Sequence, residues 1–339
     1  MKRLTLTLTT VFLAALAIAP TANAEFGIKN FELTFANEDG SPVTQAGAHP
    51  FAQSLTFEVE TEENPDGKQL PTGDVKSVRF SLPPGFTGSP IAAPPCSTAD
   101  FLAIDEEGYP SCPNASAVGA TWSKVNEIAS GEAFLDPVYN LVPPPGVAAK
   151  IGFVALTIPV TVEIGVNGEA PNNIEAAAIN IPQVIRFYGS STQLWGVPAD
   201  HAHDPFRGKC LARGWKPGYG HLASKDICNT GAEEKPFLTL PRSCTGPVSA
   251  SYEAVSWQQP DAAPDKGSDE APGMTGCSKL GFSPTIGSKA TTSQAETGSG
   301  LDFRVDFNDE GLTNPTGLAQ SDIKKAVVAL PEGMTVNPS

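Results

Sequence analysis

The sequence predicts a mostly β protein assembled from repeated sandwich-type units, and three observations predict it. The first is self-similarity. Asp74–Pro90 reads DVKSVRFSLPPGFTGSP, and Asp322–Pro338 reads DIKKAVVALPEGMTVNP. Asp74, Lys76, Leu82, Pro83, Gly85, Thr87 and Pro90 recur as Asp322, Lys324, Leu330, Pro331, Gly333, Thr335 and Pro338. Upstream, Leu55, Phe57 and Val59 recur as Leu301, Phe303 and Val305. Such self-similarity marks repeat architecture. The second is composition: 32 Gly and 32 Pro against 22 Lys and Arg, which suits short strands and many turns. The third is that apolar residues alternate in short runs, while no stretch holds the 3.6-residue period of an amphipathic helix.

The elements follow in order. Phe26–Phe35 alternates with a phase slip and reads as a first strand. Asn37-Glu38-Asp39-Gly40 is a turn. Ser54–Glu60 alternates cleanly, with Leu55, Phe57 and Val59 on one face. Val75–Leu82 is the next strand, with Val75 or Val78, Phe80 and Leu82 inward. It is ended by Leu82-Pro83-Pro84-Gly85, because the prolines cannot donate to a ladder and Gly85 permits a positive φ. Ala99–Ile104 reads as a helical turn inside an excursion from Cys96 to Pro113. Strands are expected over Ala117–Lys124, Pro137–Val142, Ala148–Leu156, Val160–Val166, Asn172–Asn180 and Gln183–Leu194. Val197–Thr230 loses the alternation and forms a long loop. Leu238–Trp257 resumes strand character. Residues 258–279, rich in Pro, Asp and Gly, read as a linker, and a second β unit starts at Leu280.

The N-terminus adds a compartment. Lys2 and Arg3, the apolar run Val11–Ile18 and Ala22-Asn23-Ala24 have the layout of a secretory signal peptide over 1–24, with Glu25 as the first mature residue. Ile151–Val166 contains Pro159 and Glu163 and is too short to span a bilayer, so the mature chain is expected to have no transmembrane segment. The formal charge of −15 excludes nucleic acid as a natural partner. Six cysteines in an exported chain point to disulfides. Local order favours Cys96–Cys112, Cys210–Cys228 and Cys244–Cys277, each worth roughly 3 kcal/mol by the chain-entropy account. No CxxC pair supports redox or zinc-ribbon chemistry.

Several strings carry a resemblance: LPPGFTGSP followed by Cys96, YNLVPPPGVAAKIGF (Tyr139–Phe153), LWGVPADHAHDPFRG (Leu194–Gly208), PFLTLPRSC (Pro236–Cys244) and LPEGMTVNPS (Leu330–Ser339). With the leader they resemble a family of long, secreted bacterial repeat proteins with tandem β domains. The resemblance covers most of the mature chain. It implies secretion, tandem β domains and a longer parent protein, and it supplies no catalytic residues. The expected layout is a signal peptide (1–24), a first β domain (25–257) with its long loop at 197–230, a linker (258–279) and a truncated second repeat (280–339). Both domains are read as immunoglobulin-like β-sandwiches.

The chemical candidates are few. In an extended segment His201 and His203 would point to one side. With Asp200, Asp204 or His221 they form a candidate zinc site, and the Cys210–Cys228 bond would tie down its loop. The bland alternative is a polar surface loop in which the aspartates cap turns and pair with Arg207. Trp195, Trp215, Tyr188 and Tyr219 are candidates for a sugar-stacking platform, although Trp195 fits a core position better. No GxSxG elbow, phosphate loop or distinctive carboxylate pair is present. The chain therefore reads as a non-catalytic, secreted or cell-surface module with a structural or adhesive role, with no cofactor, facing an extracellular ligand or cell-wall component. The alternatives are a carbohydrate-binding module using the 197–230 loop, or a metal-dependent hydrolase centred on His201 and His203.

Overall fold

The structure, a computed structural model, describes residues 25–106, 108–125, 134–213, 220–222, 228–330 and 332–334. The leader lies outside them. The strands run in the order β1 (Ile28–Ala36), β2 (Ala52–Val59), β3 (Thr61–Glu63), β4 (Gln69–Pro71), β5 (Val75–Ser81) and β6 (Thr87–Gly88). A short helix α1 (Thr98–Leu102) precedes β7 (Ala117–Val125), β8 (Phe134–Leu141), β9 (Ala149–Ala155), β10 (Ile158–Val166), β11 (Ile174–Ile179) and β12 (Phe187–Trp195). Then follow β13 (Leu211–Arg213), β14 (Gly220–Leu222), β15 (Leu238–Thr239), β16 (Val248–Ser256), β17 (Asp265–Ala271), β18 (Pro284–Ala290) and β19 (Leu301–Phe307). The chain is mostly β.

Eleven of these strands form one sheet, in the order β1-β2-β12-β7-β8-β9-β10-β11-β5-β16-β17. The pairings in it are antiparallel. The phase slip in β1 is real. Its register to β2 shifts between Lys29 and Glu32, Asn30 takes φ 52°, and the buried positions move from Ile28 to Leu33 and Phe35. Leu55, Phe57 and Val59 of β2 are buried together, as are Val75, Val78 and Phe80 of β5. Phe80 sits between Phe31 (ring centroids 6.0 Å) and Phe57 (5.4 Å) and anchors the core.

The sheet curls until its two outer strands meet. The Ile28 N–H donates to Asp265 Oδ2 at 2.7 Å and the Leu33 N–H to Asp269 Oδ2 at 2.9 Å. The Tyr252 hydroxyl lies 3.1 Å from the Ile28 carbonyl and 3.2 Å from Asp265 Oδ2. Burial, then the Asp265 carboxylate, push that phenol up to about 12, so it keeps its proton and donates. Both carboxylates come from β17, which corrects the linker expectation for 258–279. The sequence DKGSDEA has no apolar alternation, yet Asp265–Ala271 is a strand paired along its length with β16. Asp265 and Asp269 serve as acceptors, and Ala271 alone of the strand joins the core.

Strand β8 is buried on both faces over Asp136–Leu141. The 96–113 excursion explains this. Ser97 caps α1 by accepting from the Asp100 N–H at 3.1 Å, Phe101 plugs inward, and Cys96–Cys112 pins the base. A second core therefore gathers Phe101, Tyr139, Leu141, Val154 and Trp195 on the outside of the sheet. All three expected disulfides are present, and the six cysteines are all paired.

The repeated segments have different fates. β18 and β19 pair as an antiparallel hairpin, as β1 and β2 do. Gly85 and Gly333 both take a left-handed φ, 79° and 87°, so the turn chemistry is copied as well. The counterpart of β5, from Asp322 to Leu330, forms no strand, and Ile286, Val327 and Val328 are exposed. In the first unit β5 lies between β11 and β16; no described strand flanks the second copy. Phe57 is 5% exposed and its counterpart Phe303 is 38% exposed. Phe57→Ala should cost about 3–5 kcal/mol, as for a large core residue, and Phe303→Ala less than about 1 kcal/mol. Urea unfolding of both variants checks this; equal losses would mean that the second hairpin is covered in solution.

Candidate functional site: a buried histidine–tryptophan–arginine stack

Trp195 ends β12, and the chain then turns through Val197-Pro198 into the segment that carries the histidines. Asp200 caps this segment, its Oδ1 accepting from the Ala202 N–H at 2.9 Å. His201–Phe206 is a 3₁₀ helix, not the extended run on which the shared face of His201 and His203 depended. With three residues per turn, positions three apart align. His201 accordingly meets Asp204, Nδ1 to Oδ2 at 3.0 Å, and stays at the surface.

His203 points the other way. It is 1% exposed, stacked on Trp195 (centroids 4.4 Å, planes 8° apart) and packed on Phe51 (4.3 Å). Arg207 is fully buried, with its guanidinium 5.3 Å from the centre of the Trp195 ring. Its Nε donates to Asp204 Oδ1 at 2.9 Å, and its Nη2 donates to the carbonyls of Pro198 and of Asp200, the latter at 3.0 Å. One side chain thus gathers both ends of the turn. The bland sequence reading, aspartates that cap and pair with Arg207, describes these bonds, but the arginine is in the interior rather than at the surface.

Electrostatics follow from that burial. Burial first, and the Arg207 charge second, push the His203 imidazole down to about 3. Burial also pulls the Arg207 guanidinium down, opposed by Asp204 and Asp200, which hold it charged. A neutral imidazole sandwiched between aromatic rings is poorly placed as a general base. Asp204 is committed to Arg207 and His201, and Asp200 to the cap. Among the described residues no three His, Cys, Asp or Glu side chains gather as a metal-holding group. His221 lies in β14, paired with β13, and its side chain is outside the described set. Trp215 and Tyr219, candidates for a sugar platform, also lie outside the described residues. Tyr188 is half-buried and donates to the Gln69 carbonyl at 3.3 Å, while Trp195 is core.

Nothing in the sequence reading points to a second feature, an apolar chamber inside the curled sheet. It has about 150 Å³ of free volume and is walled by β2, β5, β7, β9, β10, β11 and β12. Alternation in Val160–Ile164 signals an inward face, but not whether that face is packed. Ala176 and Ala178 of β11 are the one local hint that volume is short there.

No protein-family model matches the sequence, and neither a curated protein nor a solved structure is significantly similar to it.

The stack carries a pH dependence. The folded histidine titrates below its unfolded value, so its contribution is fully present above pH about 6.5 and is lost as the pH falls from 6.5 towards 3. His203→Phe keeps a ring on Trp195 and removes the titration. Between pH 7.5 and 4.5 the parent chain should lose about 2–3 kcal/mol more stability than this variant, at 1.36 kcal/mol per pH unit. Urea midpoints at the two pH values measure it, and parallel losses would contradict a buried neutral His203.

Proposed function

We propose that this chain is a non-catalytic structural or adhesive module of β repeats, secreted or displayed at the cell surface. The single observation that carries the reading is the repeat itself together with the way its second copy is attached. The attachment is built. Arg242, largely buried, donates from Nη1 to the Gln320 carbonyl at 2.9 Å and pairs with Asp309 at 3.3 Å and Asp322 at 3.2 Å. Asp322 is the repeat counterpart of Asp74. The Ala319 N–H donates to the Gly47 carbonyl at 2.9 Å, and His49 Nε2 lies 2.7 Å from the Gly311 carbonyl. Gly311 leaves no room for a side chain, since a Cβ there would lie 1.9 Å from the Leu318 carbonyl oxygen. The Cys244–Cys277 bond holds the stretch leading into the second copy against the first unit.

A fixed junction between copies suits a spacer or scaffold, because repeats that sit in set positions extend reach and can present several weak contacts together. Disulfides fit an oxidising compartment, and among the described residues no helix is long and apolar enough to cross a membrane. The family with tandem β domains that the sequence resembles fits the same role, with an extracellular ligand or cell-wall component as partner.

Two measurements test the reading. Arg242→Ala should raise amide exchange at Ala319 and Gln320 by roughly tenfold or more, the value of a bond to a charged group, and leave β2 and β12 unchanged. Unchanged exchange would mean that the junction does not depend on this arginine. Metal analysis of the purified chain should find no stoichiometric ion. An ion lost in His201→Ala/His203→Ala would overturn the non-catalytic reading in favour of a metal site.

A further inference from the structure

The apolar chamber is built as a ligand site. It lies where the inner faces of β9, β10 and β11 meet those of β2, β7 and β12. Val160, Val162, Ile164 and Ile174 face it. They alternate inward as core residues should, yet they are only half-buried. The space is therefore reached from outside. Alanines at 176 and 178 supply no bulk to close it. The apolar lining is aliphatic side chains together with Phe57, Phe80, Phe153 and Phe187, and an apolar space of about 150 Å³ takes a benzene-sized apolar group. Filling it removes water from apolar surface at about 25 cal/mol per Å².

The polar groups of the lining narrow the ligand. No charged side chain lines the chamber. An ionised head group drawn inside would lose its hydration with nothing to replace it. The wall formed by β2, β7 and β12 carries Gln53, Ser123, Ser190 and Thr192, while β9–β11 offer only carbon. The Thr192 hydroxyl is already bonded to that of Thr121 at 2.9 Å. Ser123 is 1% exposed, and its Oγ has no hydrogen-bond partner. Such an orphan is costly unless something bonds to it. The rim supplies an apolar approach: Ile181, Pro182 and Ile185 line the chamber, and between them Val184 is 76% exposed to solvent.

We propose that the chamber binds the head end of a neutral single-chain lipid, with a head hydroxyl or carbonyl bonded to Ser123, the first carbons of the chain against β9–β11, and the rest of the chain along the apolar rim of Ile181, Pro182 and Ile185. This goes beyond the structural reading and is independent of it, because the chamber lies wholly in the first unit and the junction plays no part in it. The chain would then carry or display an uncharged lipid.

The test uses the full chain and the uncharged dye N-phenyl-1-naphthylamine. Saturable one-to-one binding is expected, with 1-dodecanol displacing the dye at a concentration at least tenfold lower than dodecanoate at pH 8. Ala176→Phe should weaken dye binding at least tenfold while circular dichroism and the melting temperature are retained. Ser123→Ala should reduce the preference for 1-dodecanol over dodecane about fivefold. Should Ala176→Phe fail to fold, methyl NMR of the parent chain decides: 1-dodecanol must shift the Val160 and Val162 signals. Absence of saturable binding, equal displacement by dodecanoate, or unmoved Val160 and Val162 methyls would overturn the proposal. So would dye binding lost in Phe303→Ser but kept in Ala176→Phe, which would place the dye on the exposed C-terminal hairpin.

Discussion

An open sheet of eleven strands has two edges, and each presents a row of unpaired N–H and C=O groups that invites further pairing. Closure of those edges is the constraint on which the rest of this structure rests. It is made by side chains in place of a ladder: the carboxylates of Asp265 and Asp269 receive N–H groups of β1, and Tyr252 reaches the Ile28 carbonyl. Without that contact β1 would have to end the sheet in solvent. With it, the inner faces of β2 and β5 are brought together, and Phe31, Phe57, Phe80 and Tyr252 can share one core.

Curling also decides where the core is thin. Near the closure seam the inner faces carry rings: Phe31, Phe80, Tyr252. On the far side, around β10 and β11, they carry Val, Ile and Ala. Rings fill the space between opposing walls; alanines do not. The chamber lies between those small residues and the rings of Phe57, Phe80, Phe153 and Phe187, which do not reach across to fill it. Native interiors are packed nearly as densely as organic crystals, so a void of this size, open to solvent and lined mainly by carbon, departs from that rule. Departures of that kind concentrate where a site is maintained.

Much of this was legible in the sequence, and the limits have physical causes. The positions of β1, β2, β5 and β7 to β12 are expected from short alternating runs, and the bulge of β1 shows as a slip in that period; the short strands β3, β4 and β6 have too few residues to show a period. Sequential disulfides follow from local order. β17 was not legible, because its work is done by backbone pairing and by two aspartates, and DKGSDEA has no apolar face to announce it. The histidine segment misled for a related reason. HAH in an extended strand presents two ligands, while HAH after an Asp cap turns one ring out and one in; the choice rests on Arg207 gathering the Pro198 and Asp200 carbonyls, a contact that spacing does not encode. The chamber was not legible because inward-facing residues look the same whether or not something packs against them.

The two copies of the repeat make the same point at the positions they share. Leu55, Phe57 and Val59 are core in β2 because β1 and β12 flank that strand and β5 lies across from it. Leu301, Phe303 and Val305 form the matching strand and hairpin, yet Leu301 and Phe303 remain exposed. Val75–Ser81 is a strand and Ile323–Ala329 is not. Local propensity is therefore enough for a hairpin, whose partner is a few residues away, and not for a strand whose neighbours must come from far along the chain. What survives in the second copy is what is local, the hairpin and the Gly333 turn, together with what the first unit supplies through Arg242, Gly47 and His49. The junction thus does for the second copy part of what strand neighbours do for the first.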